Sequence, residues 1–172
     1  DATIDWRVEE SFADIPRLHP VVATVHRVAI RRWRKHPFTA DTRQQFRQFR
    51  EALTRQPYDL ILDTQGLLKS ALVVCLARGP RYGYAGDSAR EPLAAWCYGH
   101  TFKVARQQHA VIRNRALAGA ALGYAVTGPV DYGLQPPPLQ APWLPTTPYV
   151  VLLSATSRDD KLWPESHWLT LG

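Results

Sequence analysis

Residues 58–77, YDLILDTQGLLKSALVVCLA, set out most clearly the strand, turn and helix from which the fold class is read. Tyr58 to Asp63 is a short apolar run with the make-up of a buried strand. Thr64-Gln65-Gly66 reads as a turn, and Gly66 suits a backbone that needs positive φ or a close ligand approach. Residues 67–77 then read as a mostly apolar helix. Strand, turn and helix recur along the chain. Residues 3–9 alternate as a strand, with Ile4, Trp6 and Val8 on one face, and valine-rich 21–30 reads as another. The first of these leads through Ser11, a candidate cap for a short helix, to Pro16 and Pro20, which break regularity. Phe46, Phe49 and Leu53 give an amphipathic helix that starts near Asp41-Thr42 and stops before Pro57. A strand at 81–85 precedes the loop 86–92 and a helix at 93–98. An edge strand at 101–104 precedes a helix from Gln107 to about Leu122, ended by Gly123. This alternation predicts an α/β fold with a mainly parallel sheet. Loops at the C-terminal ends of such strands are where ligands bind.

Beyond residue 125 the character changes. Pro129, Pro136, Pro137, Pro138, Pro142, Pro145 and Pro148 give 126–148 the composition of a semi-rigid connection. The expected organisation is a first sheet domain over 1–125, a linker over 126–148 and the start of a second domain over 149–172. In that second part, YVVLL (149–153) reads as a buried strand. A polar loop with Ser154, Thr156, Ser157 and Lys161 follows, and a helix begins near Pro164. Hydroxyls, backbone N–H groups and a lysine beside a helix start suit a phosphate or diphosphate. The same loop also fits an ordinary charged βα connection, since it is no Walker-type glycine loop. The chain opens without methionine and stops inside helical sequence, and so reads as part of a longer protein.

The formal net charge of the 172 residues is +6, which calls for an anionic partner. The densest basic cluster, Arg31-Arg32-Trp33-Arg34-Lys35-His36, follows a strand and is expected in a loop, with Trp33 as a stacking face. Arg90 also follows a strand, and Gln65 and Lys69 flank the Gly66 turn. Each of these also fits a solvated surface. His109 at a helix start fits a cap better than a catalyst. No GxSxG elbow supports a serine triad. The six histidines make no HxH or HExxH pair, so no metal site is expected. Cys75 and Cys97 lie in apolar helical contexts and are expected to be buried, reduced thiols. No apolar run reaches the roughly 18–20 residues of a membrane span, and no signal-peptide pattern opens the chain.

The segments YDLILDTQGLLKSA, DSAREPLAAWCY, QQHAVIRNR, SATSRDDKLWPESHW and AIRRWRK together resemble the lipopolysaccharide heptosyltransferase I group of the family 9 glycosyltransferases, from near Asp5 to Trp168. The resemblance implies a GT-B fold of two Rossmann-like domains, the first binding acceptor and the second binding the nucleotide sugar. It implies inverting, metal-independent transfer of L-glycero-D-manno-heptose from ADP-heptose to the inner Kdo of Kdo2-lipid A. No cofactor is implied beyond that donor. The setting implied is the cytoplasmic face of the inner membrane, with peripheral contact to anionic lipid and no nucleic acid. By the same resemblance, Thr156, Ser157 and Lys161 contact the donor diphosphate. Arg31, Arg34, Lys35, Gln65, Gly66, Lys69, Arg90 and His109 line the acceptor side. The family's general base is the aspartate of a Gly-Asp pair, expected upstream of Asp1, so no catalytic residue is assigned within the chain. Neither Asp5 nor Asp63 is a substitute, and the chain alone is expected to be inactive. A basic nucleic-acid-binding or lipid-binding module without catalysis is the competing class. The nucleic-acid form would need aromatic platforms and basic residues spread along one track, whereas here the basic groups cluster at strand ends and no RRM or KH signature appears.

Overall fold

The structure, a computed structural model, describes residues 2–138, 141–154, 156 and 159–171. It divides into two units, Asp1–Pro136 and Pro137–Gly172, with the boundary inside the proline-rich stretch. In the first unit β1 (Ile4–Glu9) and β2 (Val22–Val28) pair in parallel, Trp6 opposite Val25 and Glu9 opposite Val28. A parallel pair cannot be closed by a hairpin. The crossover holds a 3-10 turn, Glu10–Phe12, and the short helix α1 (Asp14–Arg17). Pro16 is accommodated in α1 because it sits in the first turn, where the missing N–H would have had no helical partner.

A second sheet has the order β3 (Ile61–Leu62), β4 (Arg81–Tyr84), β5 (His100–Phe102), parallel throughout. The described strands thus form two parallel sheets rather than one. Side chains rather than a ladder join β1 to the approach to β3. Tyr58 donates its hydroxyl to Asp5 Oδ2 at 2.9 Å, and His26 Nε2 lies 3.2 Å from the same oxygen.

The helices are α2 (Ile30–Lys35), α3 (Ala40–Thr54), α4 (Leu68–Val74) and α5 (Ala110–Leu122), with a 3-10 segment at Pro92–Cys97. Thr39 caps α3 by accepting from the Thr42 N–H, and Gly123 ends α5 in the left-handed conformation at φ 73. Three buried clusters weld these elements. Val28, Phe49 and Leu53, with Trp33, Val73 and Leu76 against them, join β2, α2, α3 and α4. Ala71 and Val74 meet Ala94 and Tyr98. Tyr84, Ala89, Val104 and Leu117 fix β4 to α5. Burying each large apolar side chain contributes about 1.5–3 kcal/mol, so these contacts set the strand-end loops in place.

Three expectations are corrected. The basic cluster is helix α2, not a loop. Its Trp33 is no free stacking face, because the ring packs on Phe46 and Phe49 at 5.9 and 5.8 Å and donates Nε1–H to Gln45. Cys75 is exposed rather than buried, because at the C-cap of α4 the inward positions are taken by its neighbours Val74 and Leu76. Residues 149–153 are not a buried strand. Val150 and Leu153 are each 84% exposed, and no strand is found among the described residues of the second unit to pair with them. An isolated strand leaves its backbone groups without ladder partners. The elements described in that unit are a 3-10 turn, Asp159–Lys161, and α6 (Glu165–Leu171), where Trp163 packs edge-on against Trp168 at 4.7 Å. No helix among the described residues is long and apolar enough to cross a membrane.

Candidate functional site

The turn after β3 is built by Asp63. The residue is 4% exposed. One carboxylate oxygen accepts from the Gln65 N–H and the other from the Tyr98 hydroxyl, both at 2.8 Å. This side-chain-to-backbone bond is an Asx turn, and it delivers Gly66 with φ 62. The Gly66 carbonyl accepts from the Glu91 N–H at 3.0 Å, and the Glu91 carboxylate accepts from the Leu68 N–H at 2.6 Å. The β3 turn, the start of α4 and the loop after β4 are therefore one hydrogen-bonded frame. It brings Gln65, Gly66, Lys69 and Arg90 together. From the other side Arg113 of α5 donates to the Ser88 carbonyl and lies over the Tyr84 ring at 4.7 Å. Ser88 in turn accepts from the Val104 N–H at 2.9 Å, which clamps the loop between turn and helix.

The electrostatics of this frame follow from burial. The Tyr98 phenol is pushed well up by desolvation, then by the charge of Asp63 and the hydrogen bond to it, so it stays a donor. Burial also raises Tyr84, with Arg113 pulling the other way. The Arg7 guanidinium is drawn below its ordinary value by burial, opposed by Asp63 and Glu9. Asp63 has both carboxylate oxygens taken up within the fold, which suits a positioning residue and not a base.

The basic helix α2 is attached to the end of β1 and the 3-10 turn after it by two glutamates. Glu9 accepts from the Arg31 N–H at 3.3 Å, and Glu10 accepts a fork from Arg32 at 3.0 and 2.8 Å. Arg32 also donates to Gln45, so it is a structural residue. A neighbouring open hollow of about 330 Å³ is lined by Glu10, Arg32, Trp33, Gln45 and Phe49, groups already engaged with one another. By contrast, among the described residues no hydrogen-bond or ion-pair partner holds the side chains of Arg31, Arg34, Lys35, Lys69 or Arg90, all five exposed. The first three follow β2, Lys69 follows β3, and Arg90 follows β4. Val73 and Leu76, at the far end of the α4 segment from Lys69, pack in the cluster that also holds Trp33 of α2, which ties both groups of cations to one scaffold. No direct contact joins them. Uncommitted guanidinium and ammonium groups at strand ends are suited to carboxylates and phosphates.

His109 lies at the start of α5, exposed, and its ring accepts from the Val111 N–H at 3.3 Å, which makes it a helix cap. Thr156 and Lys161 are exposed in the second unit. Ser157 lies outside the described residues. Among the described residues no cluster of His, Cys, Asp or Glu could hold a metal ion. Sequence reasoning missed Glu91, Tyr98 and Arg113 as supports of the frame. Only Asp63, two residues before the Gln65-Gly66 turn, carried a local signal. The others act across 23–35 residues of chain.

A parallel α/β framework whose segments after β2, β3 and β4 carry unpaired cations has the features of a protein that binds phosphate- or carboxylate-bearing ligands. Residues 46–172 match glycosyltransferase family 9 (heptosyltransferase), and the chain belongs to that family. It is 48% identical over 171 residues to lipopolysaccharide heptosyltransferase 1 of Escherichia coli K12, covering 97% of this chain and 53% of that protein. To the Pseudomonas aeruginosa protein of the same name it is 47% identical over 169 residues, covering 97% and 47%. The solved structure of E. coli heptosyltransferase WaaC with ADP superposes with a TM-score of 0.86 at 45% identity, over 97% of this chain and 53% of that one. WaaC with ADP-2-deoxy-2-fluoro heptose gives 0.81 at 44% identity, over 97% and 54%. These likenesses bear out the expected α/β fold of GT-B type. The chain spans about half the length of the curated relatives it matches.

Proposed function

We propose that this chain is the acceptor-binding part, with the beginning of the donor-binding part, of a glycosyltransferase. That enzyme moves L-glycero-D-manno-heptose from ADP-heptose to the inner Kdo of Kdo2-lipid A, with inversion and without metal or cofactor. The observation that carries the reading is the set of five uncommitted cations on the strand-end segments after β2, β3 and β4. A Kdo carboxylate and the lipid A phosphates are the anions such a set would take. Arginine supplies a planar fork for either group, and the lysines supply point charges. In this reading Arg31, Arg34, Lys35, Lys69 and Arg90 hold the acceptor, with Gln65 and Gly66 in the turn beside them and His109 at the rim. Thr156, Ser157 and Lys161 meet the diphosphate of the donor. As the glycosidic bond to ADP breaks, charge grows on the diphosphate, and a lysine with hydroxyl and N–H donors stabilises it. The structures of WaaC with ADP and with a fluorinated ADP-heptose support a nucleotide-heptose donor. Residues 1–125 serve the acceptor, 126–148 link, and 149–172 begin the donor part. The base that deprotonates the acceptor hydroxyl is assigned to no residue of this chain, and the chain alone is proposed to be inactive. A cytoplasmic site, peripheral on the inner membrane, follows from a lipid acceptor and a basic surface.

The test is binding of deacylated Kdo2-lipid A to the chain by calorimetry at two salt concentrations, beside single-stranded RNA. Acceptor binding that weakens in Arg34→Ala and Arg90→Ala supports the reading. RNA binding without acceptor binding would replace it with the nucleic-acid class.

A further inference from the structure

Cys75 and Cys97 lie on two segments that pack face to face. Ala71 and Val74 of α4 meet Ala94 and Tyr98 around the 3-10 segment, with Cys97 against the same cluster. Cys75 caps the end of α4 and is exposed, and Cys97 is half-buried at the end of the 3-10 segment. The Cys75 thiol points at the Cys97 carbonyl from 4.0 Å. The Cys97 thiol is pushed up by burial and then by its hydrogen-bonding contact with the Cys75 sulfur. Two free thiols from positions 22 apart in the chain are therefore neighbours, one open to solvent and one behind it.

We propose that Cys75 and Cys97 form a dithiol site that takes a small-molecule disulfide as oxidant and closes reversibly to an intramolecular disulfide. The Cys75 thiolate attacks one sulfur of the small disulfide, forming a mixed disulfide and releasing one thiolate. The Cys97 thiol then loses its proton and attacks the Cys75 sulfur, forming the protein bond and releasing the second small thiolate. The protein loses two electrons and two protons, and the small disulfide gains them as two thiols. The order follows from access, because Cys75 is the sulfur that solvent reaches.

The bond would tie together the two supports of the Gly66 frame. One is α4, which begins at Leu68 of that turn. The other runs from Glu91, bonded to Gly66 and Leu68, to Tyr98, bonded to Asp63. The site is independent of the sugar-transfer reading and stands or falls separately from it.

The experiment treats the native full chain with oxidised glutathione and follows it by intact mass and non-reducing peptide mapping. The expected product is a chain lighter by two hydrogens, with the Cys75 and Cys97 peptides joined and dithiothreitol restoring both thiols. Two thiols held on segments this close give an effective concentration in the millimolar range or above. Less than about a tenth of the wild-type chain should then carry glutathione at any time, whereas Cys97→Ser should accumulate the Cys75 adduct. The wild-type mapping decides the matter without the variant. Two glutathiones per chain with no bridge, a bridge only between chains, or no reaction of the native chain would each overturn the proposal.

Discussion

Gly66→Ala and Gly123→Ala form a matched pair that measures how tightly the candidate site is built. Both glycines have positive φ, 62 and 73. A side chain there costs about 1–2 kcal/mol for the left-handed backbone. Each substitution also stiffens the unfolded chain by a similar amount, which offsets about 0.4–1 kcal/mol. The pair differs in surroundings. A Cβ at Gly123 meets nothing within 4 Å, whereas at Gly66 it lies 3.2 Å from Tyr84 Cδ2, 3.3 Å from Ala89 Cα and 3.3 Å from the Arg90 nitrogen. Two of those neighbours are backbone. The third belongs to a buried ring whose hydroxyl donates to Asn114 at 2.8 Å. None can swing aside, so overpacking of about 1–3 kcal/mol is added at Gly66 only. Urea unfolding of the two variants should separate by that difference, roughly 1 M in midpoint at a slope of about 2 kcal/mol per M. Gly66→Ala should also weaken acceptor binding, because relief of the contact moves the Arg90 backbone. Equal midpoints for the two variants would refute the crowding and with it the rigidity of the frame.

Tyr98→Phe removes the buried donor to Asp63 and should destabilise the chain by about 1.5–3 kcal/mol in the same assay, since a buried carboxylate oxygen loses its partner. The Asp5 carboxyl is raised by burial but held below its ordinary 3.8 overall by hydrogen bonds with His26, Tyr58 and Thr24. Its contribution is present above that ordinary value and is lost as pH falls through the folded one, so Asp5→Asn should flatten the acid limb of a stability-against-pH curve. Tyr58 is pushed up to about 12 by burial and by Asp5, from an ordinary 10.0. Stability should therefore fall as pH rises between those values, and Tyr58→Phe should lessen that fall, as read by unfolding at a series of alkaline pH values. In the full-length protein, Lys161→Ala should raise the KM for ADP-heptose or lower kcat and leave the acceptor KM in place, as measured by steady-state transfer.

The strand–turn–helix at 58–77 was legible because apolar run, turn and helix each have a local cause. The same holds for α3 and α5, whose caps and stops lie within a few residues of their ends. Helix α2 was not legible. Its charges read as a loop, and what gives the stretch its place is Trp33 on Phe46 and Phe49, with Glu9 and Glu10 reached across 22 residues. Residues 149–153 have strand composition, but a strand is completed by a neighbour that local sequence does not supply. The cations were identified by type and position. Which of them stay uncommitted was not, because Arg32 and Arg31 are adjacent in sequence and only Arg32 meets a glutamate through its side chain. The adjacency of Cys75 and Cys97 likewise depends on how α4 meets the 92–97 segment.

The most direct measurement is the affinity of the chain for deacylated Kdo2-lipid A in the series wild type, Arg32→Ala, Arg34→Ala and Arg90→Ala, with melting temperature recorded for each. The uncommitted residues Arg34 and Arg90 should each lose about tenfold or more in affinity, on the scale of 1.5–3 kcal/mol for a charged hydrogen bond, with little change in melting. Arg32→Ala should lower melting through its lost Glu10 fork and leave the affinity of the folded chain close to wild type. Affinity unchanged in Arg34→Ala and Arg90→Ala, with both variants folded, would contradict the assignment of these strand-end cations to the acceptor.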